Sequence, residues 1–387
     1  MKTILTVLSF LIFSTAFCQT KRLIVNDNIT LPSDTVEAKA LVASLDNFLV
    51  AAQLPNEQNT FVLPDQKLET FILLDELNGI EKSGRFKDDF FYKPYLTNLV
   101  PIESNTYLVK VAYIGVNEKN PILCGDFEFI AHKTGSTFLF SSPLVRNTAN
   151  WNVKKGASNV FVFQKTINEK KVSEYNALAD NFDKKLNSKN TVSKFYLCSN
   201  FVEAQRLMGV NYKLEYNGYP LNTFSSSLDN TKLIVMGNNS VNFDSFDPHD
   251  LWHDRLSLVI ARSKTNKPVD EGCAYLYGGS WGIGWKEIFD EFMKQIANKK
   301  GVDWMALKET PTYFTTKGFN NSADNIVNAL LVKKIEKEKR FAGVWELLTC
   351  GPQEKGNENY FKALEKLTGI TKLNYNQEVE KLIAAER

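Results

Sequence analysis

The sequence predicts an α+β protein in two parts, and three features of its 387 residues carry that prediction. A helical segment precedes a run of short alternating strands. After a loop near residue 150, a second, smaller set of strands is mixed with helices. Beyond Pro248 almost every stretch has helical periodicity. With 43% apolar and 23% charged residues the balance is that of a globular chain, and the length suits two domains, 19–150 and 151–387, behind a leader of residues 1–18.

Taken in order, "DTVEAKALVASLDNFLVAA" places apolar residues at 36, 40, 41, 45, 48 and 49, one face of a helix, with Ser33 or Asp34 as its cap. Helical pattern continues to about Leu77, broken around Pro55 and Pro64. "TYLVKVAYIGV", "CGDFEFIAHK" and "STFLFSS" then alternate or run apolar over short lengths, the signature of an antiparallel meander covered on one face by the helices. In the second part, strands are expected at "VFVFQK", "SKFYLCS" and "TKLIVMG", with helices at "VSEYNALADNFDKKL" and "FVEAQRLMG". The helices expected after Pro248 are 248–263, 268–278, 283–299, 322–338, 340–350, 357–367 and 376–386.

The opening "MKTILTVLSFLIFSTAFC" has a lysine ahead of a short uncharged apolar run, the layout of a secretory signal cleaved near Cys18/Gln19. The expected location is therefore secreted or periplasmic. A lipid anchor on Cys18 fits less well, because bulky Phe17 precedes it, and no later run is long enough to span a bilayer. Cys124, Cys198, Cys273 and Cys350 lie far apart, and either two disulfides or buried free thiols would suit them. Net charge is only +2, from 46 basic and 44 acidic residues mixed along the chain, so no basic stripe points to nucleic acid.

Two of the three histidines stand four apart in "DPHDLWHD", His249 and His253. That spacing puts both imidazoles on one helix face, one turn apart, where they can reach a single cation. The same stretch is also a good helix start on its own: Asp247 can cap, Pro248 suits the first position, and Asp250 can accept a backbone N–H. Eighteen residues past His253, "KPVDEGCAYLYGG" opens another helix and carries Glu271, followed by Gly272 and Ala274.

In these residues the chain resembles the gluzincin zinc metallopeptidases, the thermolysin- and aminopeptidase-like clan. In that clan the first helix bears His-Glu-x-x-His, and a second supplies a glutamate, often within Glu-Gly-x-Ala. The resemblance spans about residues 157–386, with its specific motifs at 249–253 and 270–275. It implies a zincin-like second domain and zinc held by His249, His253 and Glu271. It also implies a peptide or protein substrate hydrolysed by zinc-activated water, with Asp250 as general base. The clan has glutamate at that base position; aspartate is one methylene shorter, which implies weakened or absent hydrolysis. The alternative is a non-catalytic exported binding protein on a retained peptidase scaffold.

Further assignments follow from position. Asp254 and Asp270 adjoin the proposed ligands and could orient an imidazole. Tyr275 or Tyr277 could offer a phenol to a developing oxyanion, with core packing as the other role. Trp252 and Cys273 are expected in the core, and His132 in a structural or an exposed place. "GGSWGIGW" is expected as a turn or rim beside the metal cleft rather than a phosphate loop.

Overall fold

A computed structural model describes residues 22–238, 240–299 and 301–387; the expected leader lies outside them. The fold is α+β. The chain divides into two compact units, residues up to Asp65 with Leu74–Ser141 and Asn211–Glu215, and Gln66–Leu73 with Ser142–Val210 and Tyr216–Arg387. Whereas the sequence suggests one boundary near residue 150, the main change falls at Ser141–Ser142, with two short segments exchanged.

In the first unit β1 (Ile24–Val25) precedes α1 (Thr35–Ala51), and α2 (Lys67–Leu77) straddles the division. Asp34 is the N-cap of α1, accepting from the amides of Val36 at 2.8 Å and Glu37 at 3.2 Å. A long meander follows: β2 (Lys93–Glu103), β3 (Thr106–Asn117), β4 (Asn120–Thr134) and β5 (Thr137–Ser141). The sheet runs in the order β1-β2-β3-β4-β5, and register shifts at Leu96/Asn98 and Tyr113/Ile114 bend its long strands. Leu41, Leu45 and Phe48 of α1 are fully buried, and Phe48 packs on Phe129 and Phe140 at 5.4 and 4.9 Å between ring centroids. Half-buried His132 exchanges a 2.9 Å hydrogen bond with Ser141 and has the expected structural place.

The second unit contains α3 (Leu144–Asn147), β6 (Asn152–Lys155), β7 (Asn159–Phe163), α4 (Glu169–Leu186), β8 (Val192–Leu197) and α5 (Phe201–Met208). β9 (Val210–Lys213) pairs with β4; β10 (Asn222–Leu228) and β11 (Thr231–Gly237) complete the second sheet, ordered β10-β11-β8-β7-β6. Its three central strands are parallel and both edge strands antiparallel. Beneath it lie Phe161, Tyr175, Phe195 and Phe243, whose rings pack on one another at 4.8–6.1 Å. The remainder is mostly helical: α6 (Pro248–Ser257), α7 (Lys267–Gly278), α8 (Trp285–Phe292), α9 (Ala323–Leu348), α10 (Glu358–Thr368) and α11 (Tyr375–Glu386). α9 is bent at Arg340, whose φ of 60° breaks it where the sequence suggests two helices. Between α8 and α9 stands a hairpin, β12 (Tyr313–Thr316) and β13 (Phe319–Ser322). Cys124, Cys198, Cys273 and Cys350 are free thiols, with Cys198 and Cys273 fully buried.

Candidate metal centre

Local chemistry explains why α6 begins where it does. The Asp247 carboxylate accepts from the His249 amide at 2.9 Å, and Pro248 fills the first helical position. The cap is thus formed by Asp247 rather than Asp250, and among the described residues nothing hydrogen-bonds the Asp250 carboxylate. The alternative role for Asp250 as a cap acceptor is not realised.

Four residues apart, His249 and His253 have their rings 4.8 Å apart and their Nε2 atoms at 3.2 Å. Glu271, on α7, brings one carboxylate oxygen to 3.5 Å from His249 Nε2 and the other to 3.8 Å from His253 Nε2. The donor atoms of the three residues lie within 4.8 Å of one another.

Close helix contact makes this possible. A Cβ at Gly278 would stand 2.5 Å from the Pro248 carbonyl carbon and 2.6 Å from the His249 nitrogen, so the end of α7 meets the start of α6 backbone to backbone. Gly272 plays the same part on the other side of α7, where a Cβ would be 2.8 Å from the backbone of Asn328 in α9.

Hydrogen bonds at the far side of each ring decide the tautomers. His249 Nδ1 lies 2.8 Å from the Gly279 carbonyl oxygen, which can only accept. His253 Nδ1 lies 3.0 Å from Asp270 Oδ1, and Trp252 Nε1 donates to that same oxygen at 3.0 Å. Both Nδ1 atoms therefore donate, and the tautomer this selects for a neutral ring turns its Nε2 lone pair toward the other ring and toward Glu271. Two lone pairs and a carboxylate at these separations repel unless a cation lies between them.

The donor set fits a metal ion. Ligands each about 2.0–2.1 Å from a tetrahedral centre lie about 3.3–3.4 Å apart, close to the spacings found here. Protons feel the same pull. Burial works against a charged His249, yet the Glu271 carboxylate, the Gly279 carbonyl and Asp247 outweigh it and raise its pKa above the ordinary imidazole value. Burial likewise opposes a charged Glu271, but His249, His253 and Arg262 together hold its pKa below the usual carboxylate range. His249, His253 and Glu271 form a group that can bind a metal ion.

The remaining sequence-derived candidates separate clearly. Asp250 is exposed and lines a cavity of about 200 Å³ together with Thr223 and Ser225 of β10, Asp247 and Asp254. Its pKa is raised, first by partial desolvation and then by Asp247 and Asp254, against the pull of both imidazoles. Asp270, 2% exposed, orients His253 as envisaged. Asp254 does not orient an imidazole, because its carboxylate pairs with Lys232 of β11. Tyr275 packs edge-on to the His249 ring at 5.2 Å, and its hydroxyl is hydrogen-bonded with Asn321 at 3.2 Å. Tyr277 donates to Glu336 at 2.8 Å and is tied up there. Trp252 and Cys273 are in the core.

Three contributors were not found from the sequence. The Gly279 carbonyl is a backbone atom and leaves no residue-type signal, although the Gly278–Gly279 pair marks the close approach. Arg262 brings Nη2 to 3.8 Å from Glu271 at the solvent edge. Arg255, 0% exposed, fixes α6 to α4 and to the start of β8 through Asp183, Thr191 and Ser193.

Comparison of the chain with protein-family profiles, with curated proteins and with solved structures returns no match.

Proposed function

We propose that the chain is an exported zinc protein of gluzincin-like design, acting on peptides, and that Asp250 limits its hydrolytic power. The observation that carries this reading is the convergence of His249, His253 and Glu271 from two helices, with the tautomer of each imidazole set from behind. Two nitrogens and a carboxylate oxygen match a catalytic zinc site with three protein ligands. When bound, zinc supplies Lewis-acid polarisation of a carbonyl and makes water more acidic.

The rest falls to the chain's own side chains. In this reading Asp250, next to His249 in sequence, takes the proton, and its raised pKa brings it nearer to what a base at neutral pH requires. Its short side chain limits its reach. Peptide as the substrate class is supported by β10. This antiparallel edge strand pairs only with β11 among the described residues, and its Thr223 and Ser225 line the cavity that Asp250 also lines. An extended peptide can add to such an edge by main-chain hydrogen bonds. No described helix is long and apolar enough to cross a membrane.

The experiment is hydrolysis of a fluorogenic peptide library by zinc-loaded wild type and by the Asp250→Glu and Asp250→Ala variants. General-base help is worth about 10²–10⁴ in rate, so a longer carboxylate that recovers part of it should raise turnover about tenfold or more. Asp250→Ala should abolish any wild-type activity. If zinc-loaded Asp250→Glu is as inert as wild type, the cleft serves binding alone, and the non-catalytic alternative replaces the enzymatic reading.

A further inference from the structure

The turn that follows α7 does more than present the Gly279 carbonyl. Ser280 and Ile283 close it with reciprocal backbone hydrogen bonds of 3.0 and 2.9 Å. Between them Trp281 has φ of 54°, in the left-handed region, which a bulky side chain adopts at a cost and which glycine, as at Gly282 with φ of 70°, adopts freely. Despite that cost the side chain stays largely in solvent, for Trp281 is 58% exposed. Its ring lies flat on Phe319, with centroids 5.1 Å apart and planes 12° from parallel, and Phe319 is itself 43% exposed. Backbone strain at a non-glycine residue clusters at positions that handle a ligand.

Two independent routes tie this pair to the candidate metal centre. Trp281 is two residues past Gly279, whose carbonyl accepts from His249, so the chain between them reaches about 7 Å at most. Phe319 is two residues before Asn321, which bonds the Tyr275 hydroxyl, and the Tyr275 ring packs on His249. Lys317, at the hairpin tip two residues before Phe319, holds Glu287 of α8 at 2.8 Å, with both side chains exposed.

We infer that Trp281 and Phe319 form a stacking platform for a sugar ring, so that the peptide handled by the neighbouring site is a glycosylated one. The peptide half of this statement rests on the function proposed above; the sugar half does not. The open setting selects the occupant. An aliphatic side chain gains most from enclosure on several sides, whereas the outer side of this stack stands in water. A pyranose has a flat C–H face to lay on an indole and a rim of hydroxyls to leave in solvent or to hydrogen-bond with Lys317 and Glu287. A nucleobase would also stack, but a net charge of +2 without a basic stripe provides nothing for its phosphates.

The test is calorimetric titration of the full-length mature protein with a peptide bearing one O-linked N-acetylgalactosamine and with the same peptide bare. Wild type should prefer the glycopeptide by roughly tenfold. Trp281→Gly should remove that preference while leaving the melting temperature unchanged or higher, since glycine relieves the left-handed backbone. Equal binding of both peptides by wild type overturns the inference, as does a Trp281→Gly variant that melts lower and keeps the preference. Tighter binding of bare peptides rich in bulky apolar residues, lost in the same variant, would reassign the platform to side chains. Zinc content of the same samples separates the two readings: a sugar preference in protein that takes up no zinc leaves this inference standing and removes only the metallopeptidase-like one.

Discussion

Replacing Arg255 by methionine should cost about 3 kcal/mol of stability, toward the lower end of what breaking a buried ion pair costs. Arg255 is fully buried, and its guanidinium meets both Asp183 carboxylate oxygens, Nε donating to Oδ1 at 2.7 Å and Nη2 to Oδ2. Nη1 also donates to Ser193 Oγ at 3.1 Å. Methionine fills much of the volume but, among the described residues, leaves the Asp183 carboxylate with only Ser188 and Thr191 for partners. A half-buried charge left uncompensated, rather than a lost attraction, dominates the cost. In a unit of this size that corresponds to a fall of about 6–12 °C in melting temperature. Calorimetry on wild type, Arg255→Met and the double variant with Asp183→Leu checks the mechanism. Because the double variant removes both charges, it should recover much of the loss. Arg255 is two residues past His253, so the single variant should also weaken zinc uptake by loosening α6. A single variant as stable as wild type would show that the pair does not hold the helix.

The second large effect is expected at Asp270. One carboxylate oxygen receives both the His253 Nδ1 hydrogen and the Trp252 indole hydrogen, each at 3.0 Å, in a place only 2% exposed. Asp270→Ala leaves two donors without an acceptor and frees the His253 ring to rotate or change tautomer. Loss of such an outer partner typically weakens metal affinity about 10–100-fold, and that range is expected here by competition against a chelator of known affinity. Asp270→Asn keeps an acceptor oxygen and should restore part of the affinity. That rescue is what separates ring orientation from a general loss of packing. If alanine and asparagine bind zinc as tightly as aspartate, Asp270 merely packs.

How much of this was readable beforehand depended on where the information resides. Periodicity and capping marked α1, with Asp34 as its cap, and the Asp247–Pro248 start of α6, because those signals are local. The break near Arg340 was likewise legible from pattern. β2 was missed: Pro94 and Pro101 interrupt its alternation, and the strand persists through register shifts opposite β3. β10 was missed because "NTFSSSL" has few apolar or branched residues; its place comes from pairing with β11, not from propensity. The four-residue strands β12 and β13 are too short for a period to show.

At the candidate site, the His249–His253 spacing and Glu271 were visible because helix geometry converts spacing into a shared face. Asp254 and Asp270 looked equivalent as neighbours of a proposed ligand. Tertiary structure distinguishes them, since Lys232 of β11 claims Asp254 while α7 turns Asp270 toward His253. The Gly279 carbonyl, equally necessary for the His249 tautomer, has no side chain by which a sequence could announce it.

The most direct measurement is a calorimetric zinc titration of chelator-stripped protein, with metal content read by mass spectrometry after desalting. Wild type should take up one equivalent, and His253→Ala should take up none at the same concentrations while keeping its fold by circular dichroism. A folded wild-type protein that takes up no zinc, or a His253→Ala variant that binds it undiminished, would contradict the account.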